Sequence, residues 1–201
     1  MRSLKEQLYT LEEYLELDHA GEEKIEYWDG NVFTLAGASV NHNQIQSNLI
    51  FHLRSKLQNK GCRIFPSDMR VKVQTYPPYR YPDLSALCGA TEIDRLGAQE
   101  MLVNPQLIVE VLSDSIAGFD YGYKFTYYKS IKSFVEYILI AQDRPHVTQF
   151  IKQSDNSWLN HEFNDVNDAF LIASLDCEIK LSELYEEVVF PDDFLPFPIE
   201  E

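Results

Sequence analysis

The chain has 201 residues, 45% apolar and 13% aromatic, enough to bury the core of one globular domain and too apolar for a disordered chain. It has no apolar run of membrane-spanning length, and "MRSLKEQLYTLEEYLE" is charged within a few residues and lacks an apolar signal core, so no membrane contact and a cytoplasmic location are expected. The net charge of −15 argues against a nucleic-acid partner, since phosphate contacts call for a basic footprint, yet residues 1–30 hold nine acids against three bases, residues 176–201 nine against one, and the segment between is close to neutral.

Thr10 followed by Glu13 reads as a capping box. It opens a short amphipathic helix through Leu11, Tyr14, Leu15 and Leu17 that ends near Gly21. "KIEYW-DG-NVFTL" is a hairpin pattern around Asp29-Gly30. Ser39 to Lys60 is the longest helix, with Ile45, Leu49, Leu53 and Leu57 on one face and Gly61 as its stop. "CRIF", "MRVKVQT" and "DLSALC" are strand-like, the last two separated by "TYPPYRYP". "QLIVEVL" is the central strand. "GFDYGYKFTYYKSI" predicts a helix with Gly118 and Gly122 at its start, and "FVEYILI" another strand. "HVTQFIK", "SWLNHEF" and "LDCEIKL" close the set, followed by a terminal helix, "SELYEEVVF". Residues 1–190 thus predict a single α/β domain with a mixed sheet, and residues 191–201, "PDDFLPFPIEE", an acidic Pro-rich tail. Cys62, Cys88 and Cys177 are odd in number and widely spaced, which suggests neither a zinc site nor a disulfide framework; Cys88, after "LSAL", reads as a core residue.

"LIVEVLSD" holds a carboxylate, Glu110, inside an apolar strand. Burying that charge costs several kcal/mol unless it is paired or bound to a cation. Two more carboxylates lie on or beside strands, Glu26 in "IEYW" and Asp83 in "YPDLSALC", and Lys124 follows on the next helix. Carboxylates on adjacent strands can meet at one hard divalent cation, which takes oxygen ligands and keeps several waters. Each residue type also has a plainer reading. Asp83 fits a turn after Pro82, Glu110 a buried ion pair with Lys124, Asp120 and Lys124 a surface pair four apart, and Glu26 the solvated face of a strand. His42 fits a hydrogen bonder at a helix start, and the tyrosines at 121, 123, 127 and 128 fit either base stacking or core packing.

"YPDLSALC" followed by "IVEVLSDSI" resembles the PD-(D/E)xK superfamily of restriction-endonuclease-like nucleases. More narrowly, it is similar to the putative restriction endonuclease family, mostly bacterial and formerly a domain of unknown function. Members carry a "YELIDG"-type hairpin, a histidine early in the next helix, a "PD" strand, an "EVLSPST" strand and a helix with "D…K…Y". Here these are "IEYWDG" at 25–30, His42 in "VNHNQI", "PD" at 82–83, "EVLSDSI" at 110–116, and Asp120, Lys124 and Tyr128, so the resemblance runs from about Thr10 to about Ile140.

The resemblance implies a restriction-endonuclease-like fold, a mixed β-sheet flanked by helices. It implies Mg²⁺, with Mn²⁺ as substitute, held by Asp83, Glu110 and the backbone carbonyl of Val111, with Glu26 as a further catalytic carboxylate. It implies hydrolysis of DNA phosphodiesters by metal-activated water, with Lys124 as the catalytic lysine, in a homodimer that cuts two strands. The superfamily lysine two residues after Glu110 is replaced by Leu112, which moves that role to Lys124, with Lys129 as the fallback; "SDSI" stands for "SPST". Candidates for the rim of a nucleic-acid cleft are Arg54, Arg70, Lys72, Arg80, Lys129 and Lys132. The missing lysine and the acidic ends also fit a non-catalytic interaction protein on the same scaffold, or a metal-dependent hydrolase of RNA or small phosphoesters.

Overall fold

The computed structural model describes residues 2–3, 8–20, 24–28, 30–34, 38–74, 79–96, 99–112 and 120–191. The expected helix stop at Gly21, Asp29 of the hairpin turn, the "SDSI" turn, Gly118 and the acidic tail from 192 onward lie outside them. A short strand, β1 (Arg2–Ser3), precedes α1 (Leu11–Ala20). The Glu13 N–H donates to Thr10 Oγ1 (3.2 Å) and the Thr10 N–H to Glu13 Oε2 (2.7 Å), so the capping box forms. The hairpin follows as β2 (Ile25–Trp28) and β3 (Asn31–Thr34). Its turn needs glycine: Gly30 has φ +80°, and a Cβ there would lie 2.9 Å from Leu8 Cδ2.

The long helix, α2 (Val40–Lys56), starts at Ser39, whose Oγ accepts from the His42 N–H (3.0 Å). Ile45, Leu49 and Leu53 are buried along one face, and the chain leaves the helix through Asn59 and Gly61, both at positive φ. β4 (Cys62–Pro66), β5 (Arg70–Lys72), β6 (Tyr79–Arg80) and β7 (Leu84–Cys88) come next. A hairpin not foreseen from the sequence, β8 (Ile93–Leu96) and β9 (Gln99–Leu102), leads to β10 (Leu107–Leu112).

The helix expected over 118–131 is shorter. A π-helical turn over Asp120–Lys124 runs into a single α-turn, α3 (Phe125–Tyr128). β11 (Glu136–Ala141), β12 (Val147–Lys152), β13 (Trp158–Phe163), β14 (Ala169–Ile172) and β15 (Cys177–Lys180) complete the strands. The terminal helix, α4 (Leu181–Leu184), is one turn rather than the longer helix expected, and Asn48 Nδ2 of α2 holds the chain beyond it through the carbonyls of Leu184 and Glu186.

The central sheet has the order β13-β12-β11-β10-β7-β4, with β10 and β11 parallel and every other pair antiparallel. The apolar run "LIVEVL" is therefore interior, as a strand flanked on both sides and covered on both faces should be. Leu107, Val109 and Val111 face α2, while Ile108 faces an aromatic core of Phe125, Tyr128, Phe134 and Tyr137. The β4–β7 register sets Cys62 directly opposite Cys88, and the two form a disulfide. This corrects the expectation of unpaired cysteines: strand pairing closes a separation of 26 residues that the spacing hides.

A second sheet, β6-β5-β9-β8, is bound to α1 by one carboxylate. Asp18 accepts from Arg70 Nη2 (3.0 Å), the Tyr79 hydroxyl (2.9 Å), the Tyr81 hydroxyl (3.3 Å) and Gln99 Nε2 (2.8 Å). Burial pushes the phenols of Tyr14 and Tyr81 well above their ordinary value, and Tyr79 up to about 12. Raised phenol values contribute stability that is complete below the unfolded value of 10.0 and is lost as pH rises beyond it. Tyrosinate absorbance and loss of far-ultraviolet ellipticity should therefore rise together above that pH. Ionisation of all twelve tyrosines in a still-folded chain would contradict this.

Candidate active site

Asp83 and Glu110 arrive from neighbouring strands. Leu107 pairs with Ala86, Ile108 with Ser85 and Val109 with Leu84, so the next step of the register brings Glu110 across from Asp83, just ahead of β7. The Asp83 N–H donates to Glu110 Oε2 at 3.4 Å, and the Val111 N–H donates to Asp83 Oδ2 at 2.7 Å. From the first turn of α2, His42 Nε2 reaches Asp83 Oδ1 at 3.1 Å. Gln46, one turn further along, donates to the Asp83 carbonyl at 2.5 Å.

Glu110 is 2% exposed, yet it is well partnered. Lys124 Nζ lies 3.3 Å from Oε2, and the Tyr128 hydroxyl donates to Oε1 at 2.9 Å. Lys124 ends the π-turn and Tyr128 ends α3, four residues on, so both side chains meet the same carboxylate. A π-turn at such a point is a common device for re-aiming a functional side chain. Burial first, then the charges of Glu110 and Glu26, push the Tyr128 phenol well above its ordinary value, so it stays a donor.

Glu26 on β2 is 4% exposed rather than on a solvated face, and its Oε1 accepts from the Tyr81 N–H at 3.4 Å, two residues before Asp83. Lys129 points elsewhere. Its ammonium sits 3.9 Å from the centre of the Phe125 ring, and desolvation holds its pKa below the usual lysine value. Among the suggested rim cations, Arg70 pairs with Asp18, Lys72 pairs with Asp94, and Arg80 is buried; Arg54 and Lys132 are exposed. Asp120 contributes backbone to the π-turn, and its side chain lies outside the described residues.

The profile of a family described as putative restriction endonuclease, Uma2, matches residues 11–182. The chain belongs to the Uma2 family. The chain is 36% identical over 160 residues to the uncharacterized protein sll1609 of Synechocystis sp., covering 80% of this chain and 90% of that one. It is 29% identical over 179 residues to slr1290 of the same organism, also uncharacterized, covering 89% and 92%. Its fold is that of a crystal structure titled a putative nuclease of the DUF820 family from Anabaena variabilis, with a TM-score of 0.69 at 19% identity over 90% of this chain and 99% of the other. The single mixed α/β domain expected from the sequence is thus the fold of this Uma2 chain.

The donors at this candidate site suit a hard cation. Asp83 and Glu110 offer carboxylate oxygens on adjoining strands, and Mg²⁺ takes one or two carboxylates and fills its remaining positions with water. Among the described residues no three His, Cys, Asp or Glu side chains converge as a metal cage. A two-carboxylate site is therefore the arrangement to test. Gln46 went unnoticed in the sequence, although its spacing of four from His42 places both on one helical face.

Proposed function

We propose that the protein is a Mg²⁺-dependent endonuclease that hydrolyses DNA phosphodiesters at Asp83 and Glu110. The observation that carries this reading is the interior carboxylate Glu110, held between Lys124 and Tyr128 and set against Asp83 at the head of the neighbouring strand. Asp83 and Glu110, with the Val111 carbonyl, would hold the cation. When bound, it supplies a Lewis acid that makes water a nucleophile at neutral pH and offsets phosphate charge.

The chain's own residues do the rest. The Lys124 ammonium, 3.3 Å from Glu110 Oε2, would stabilise the charge that develops on the phosphate. The Tyr128 hydroxyl and the His42 ring fix the rotamers of Glu110 and Asp83. Glu26 anchors the backbone that leads into Asp83. Acidity at the two ends of the chain leaves the middle, which bears these residues, close to neutral. Cutting both strands of a duplex calls for two such centres, which a homodimer supplies.

The test is cleavage of supercoiled plasmid, single-stranded DNA and RNA by purified protein with Mg²⁺, Mn²⁺ or EDTA. Plasmid nicking that needs the metal is expected. Cleavage of RNA alone would move the substrate to RNA, and a protein that neither cuts nor binds either metal would make Glu110 a structural ion-pair partner on an interaction scaffold.

A further inference from the structure

Arg80 heads the fully buried side chains by size, at 1% exposure, an uncommon place for a guanidinium. Nη1 donates to the carbonyls of Tyr79 (3.2 Å) and Tyr27 (3.4 Å), while Nε and Nη2 have no hydrogen-bond partner among the described residues. Leaving buried donors unmade is costly, so packing must hold the group in place. The packing is a ring: the guanidinium carbon lies 4.7 Å from the centre of Tyr127. This contact joins two parts of the candidate site. Arg80 stands three residues before Asp83, and Tyr127 stands beside Tyr128 and three residues after Lys124. The positive charge also reaches the Tyr128 phenol, where it opposes the upward push of burial and of the two glutamates.

We propose that Arg80 is a positioning residue: stacked on Tyr127, it clamps the Lys124–Tyr128 turn to the segment that runs into Asp83, and so sets where the ammonium and the phenol meet Glu110. The reaction it serves rests on the nuclease reading, whereas the clamp itself does not. Lysine is a poor substitute, because its one compact ammonium cannot both sit over the ring, as the guanidinium carbon does, and reach the two carbonyls that Nη1 reaches from the edge of the group.

The test is hydrogen exchange followed by mass spectrometry on the wild-type chain, Arg80→Lys and Arg80→Met, with plasmid cleavage rates alongside. The amides of Lys129, Ser130 and Ile131 bond to the carbonyls of Phe125, Tyr127 and Tyr128, so loosening of this turn is readable. In Arg80→Met, exchange over 124–131 should quicken by about tenfold or more while that of β11 and β12 stays as it was, with Arg80→Lys between. Because Arg80 acts through Lys124 and Tyr128 together, Arg80→Met should slow cleavage no further in a chain that already carries Lys124→Met and Tyr128→Phe. Unchanged exchange over 124–131 in a folded variant would overturn the clamp, as would rate losses that simply add. Should Arg80→Met fail to fold, Arg80→Lys carries the same test. Faster exchange in the variants of a chain that cuts no nucleic acid would uphold the clamp and remove the nuclease reading.

Discussion

Glu110→Gln lowers plasmid cleavage by about a thousandfold or more, since it removes several kcal/mol of transition-state stabilisation and each 1.36 kcal/mol is a factor of ten. The substitution keeps the shape of the side chain and an acceptor for the Tyr128 hydroxyl. It also leaves the Lys124 ammonium, with a side chain 6% exposed, beside a neutral amide. Removing one member of a buried ion pair costs about 3–5 kcal/mol, so the melting temperature falls as well. The two losses separate in Glu110→Gln/Lys124→Met. That double variant recovers stability, because the ammonium left beside a neutral amide is removed as well, and recovers no activity. Cleavage within tenfold of wild type by folded Glu110→Gln would remove this carboxylate from the reaction.

Asp18→Ala is the substitution expected to cost most stability away from the site. One carboxylate satisfies Arg70, Tyr79, Tyr81 and Gln99 and joins α1 to the second sheet. Truncation strands four donors and unpairs a guanidinium, a loss of about 3–5 kcal/mol. Asp18→Asn, which keeps one acceptor oxygen, costs about 1–3 kcal/mol. Urea unfolding measures both. A loss below about 1 kcal/mol in Asp18→Ala would show that water takes over these donors.

The strand bearing Glu110 was legible because an uninterrupted branched apolar run is readable locally, and so was α2, whose apolar residues recur every four. The capping box at Thr10 and the glycine turn at Gly30 were legible for the same reason, since each is settled within a few residues. Part of what escaped is local and part depends on distant pairing. The β8–β9 hairpin carries Asp94, Arg95 and Glu100 and lacks a strong apolar alternation. The Cys62–Cys88 bond exists through the β4–β7 register alone. Asp18 reads as one more acid on an acidic helix until its four partners are assembled. Arg80 reads as a surface cation because nothing local shows that tyrosines will enclose it. At the site, the family resemblance names Lys124 for the lysine role with Lys129 as the fallback. In the structure Lys124 meets Glu110, and Lys129 lies over Phe125.

Titration of Mn²⁺ into the wild-type chain, Asp83→Asn and Glu110→Gln, with free metal followed by electron paramagnetic resonance, probes the two-carboxylate centre without a substrate. The wild-type chain should bind Mn²⁺ and release it to excess Mg²⁺, and each substitution should weaken binding by at least about tenfold, the scale on which even residues that support a metal ligand act. Absence of binding in the wild type, or equal binding in all three proteins, would contradict a metal centre at Asp83 and Glu110.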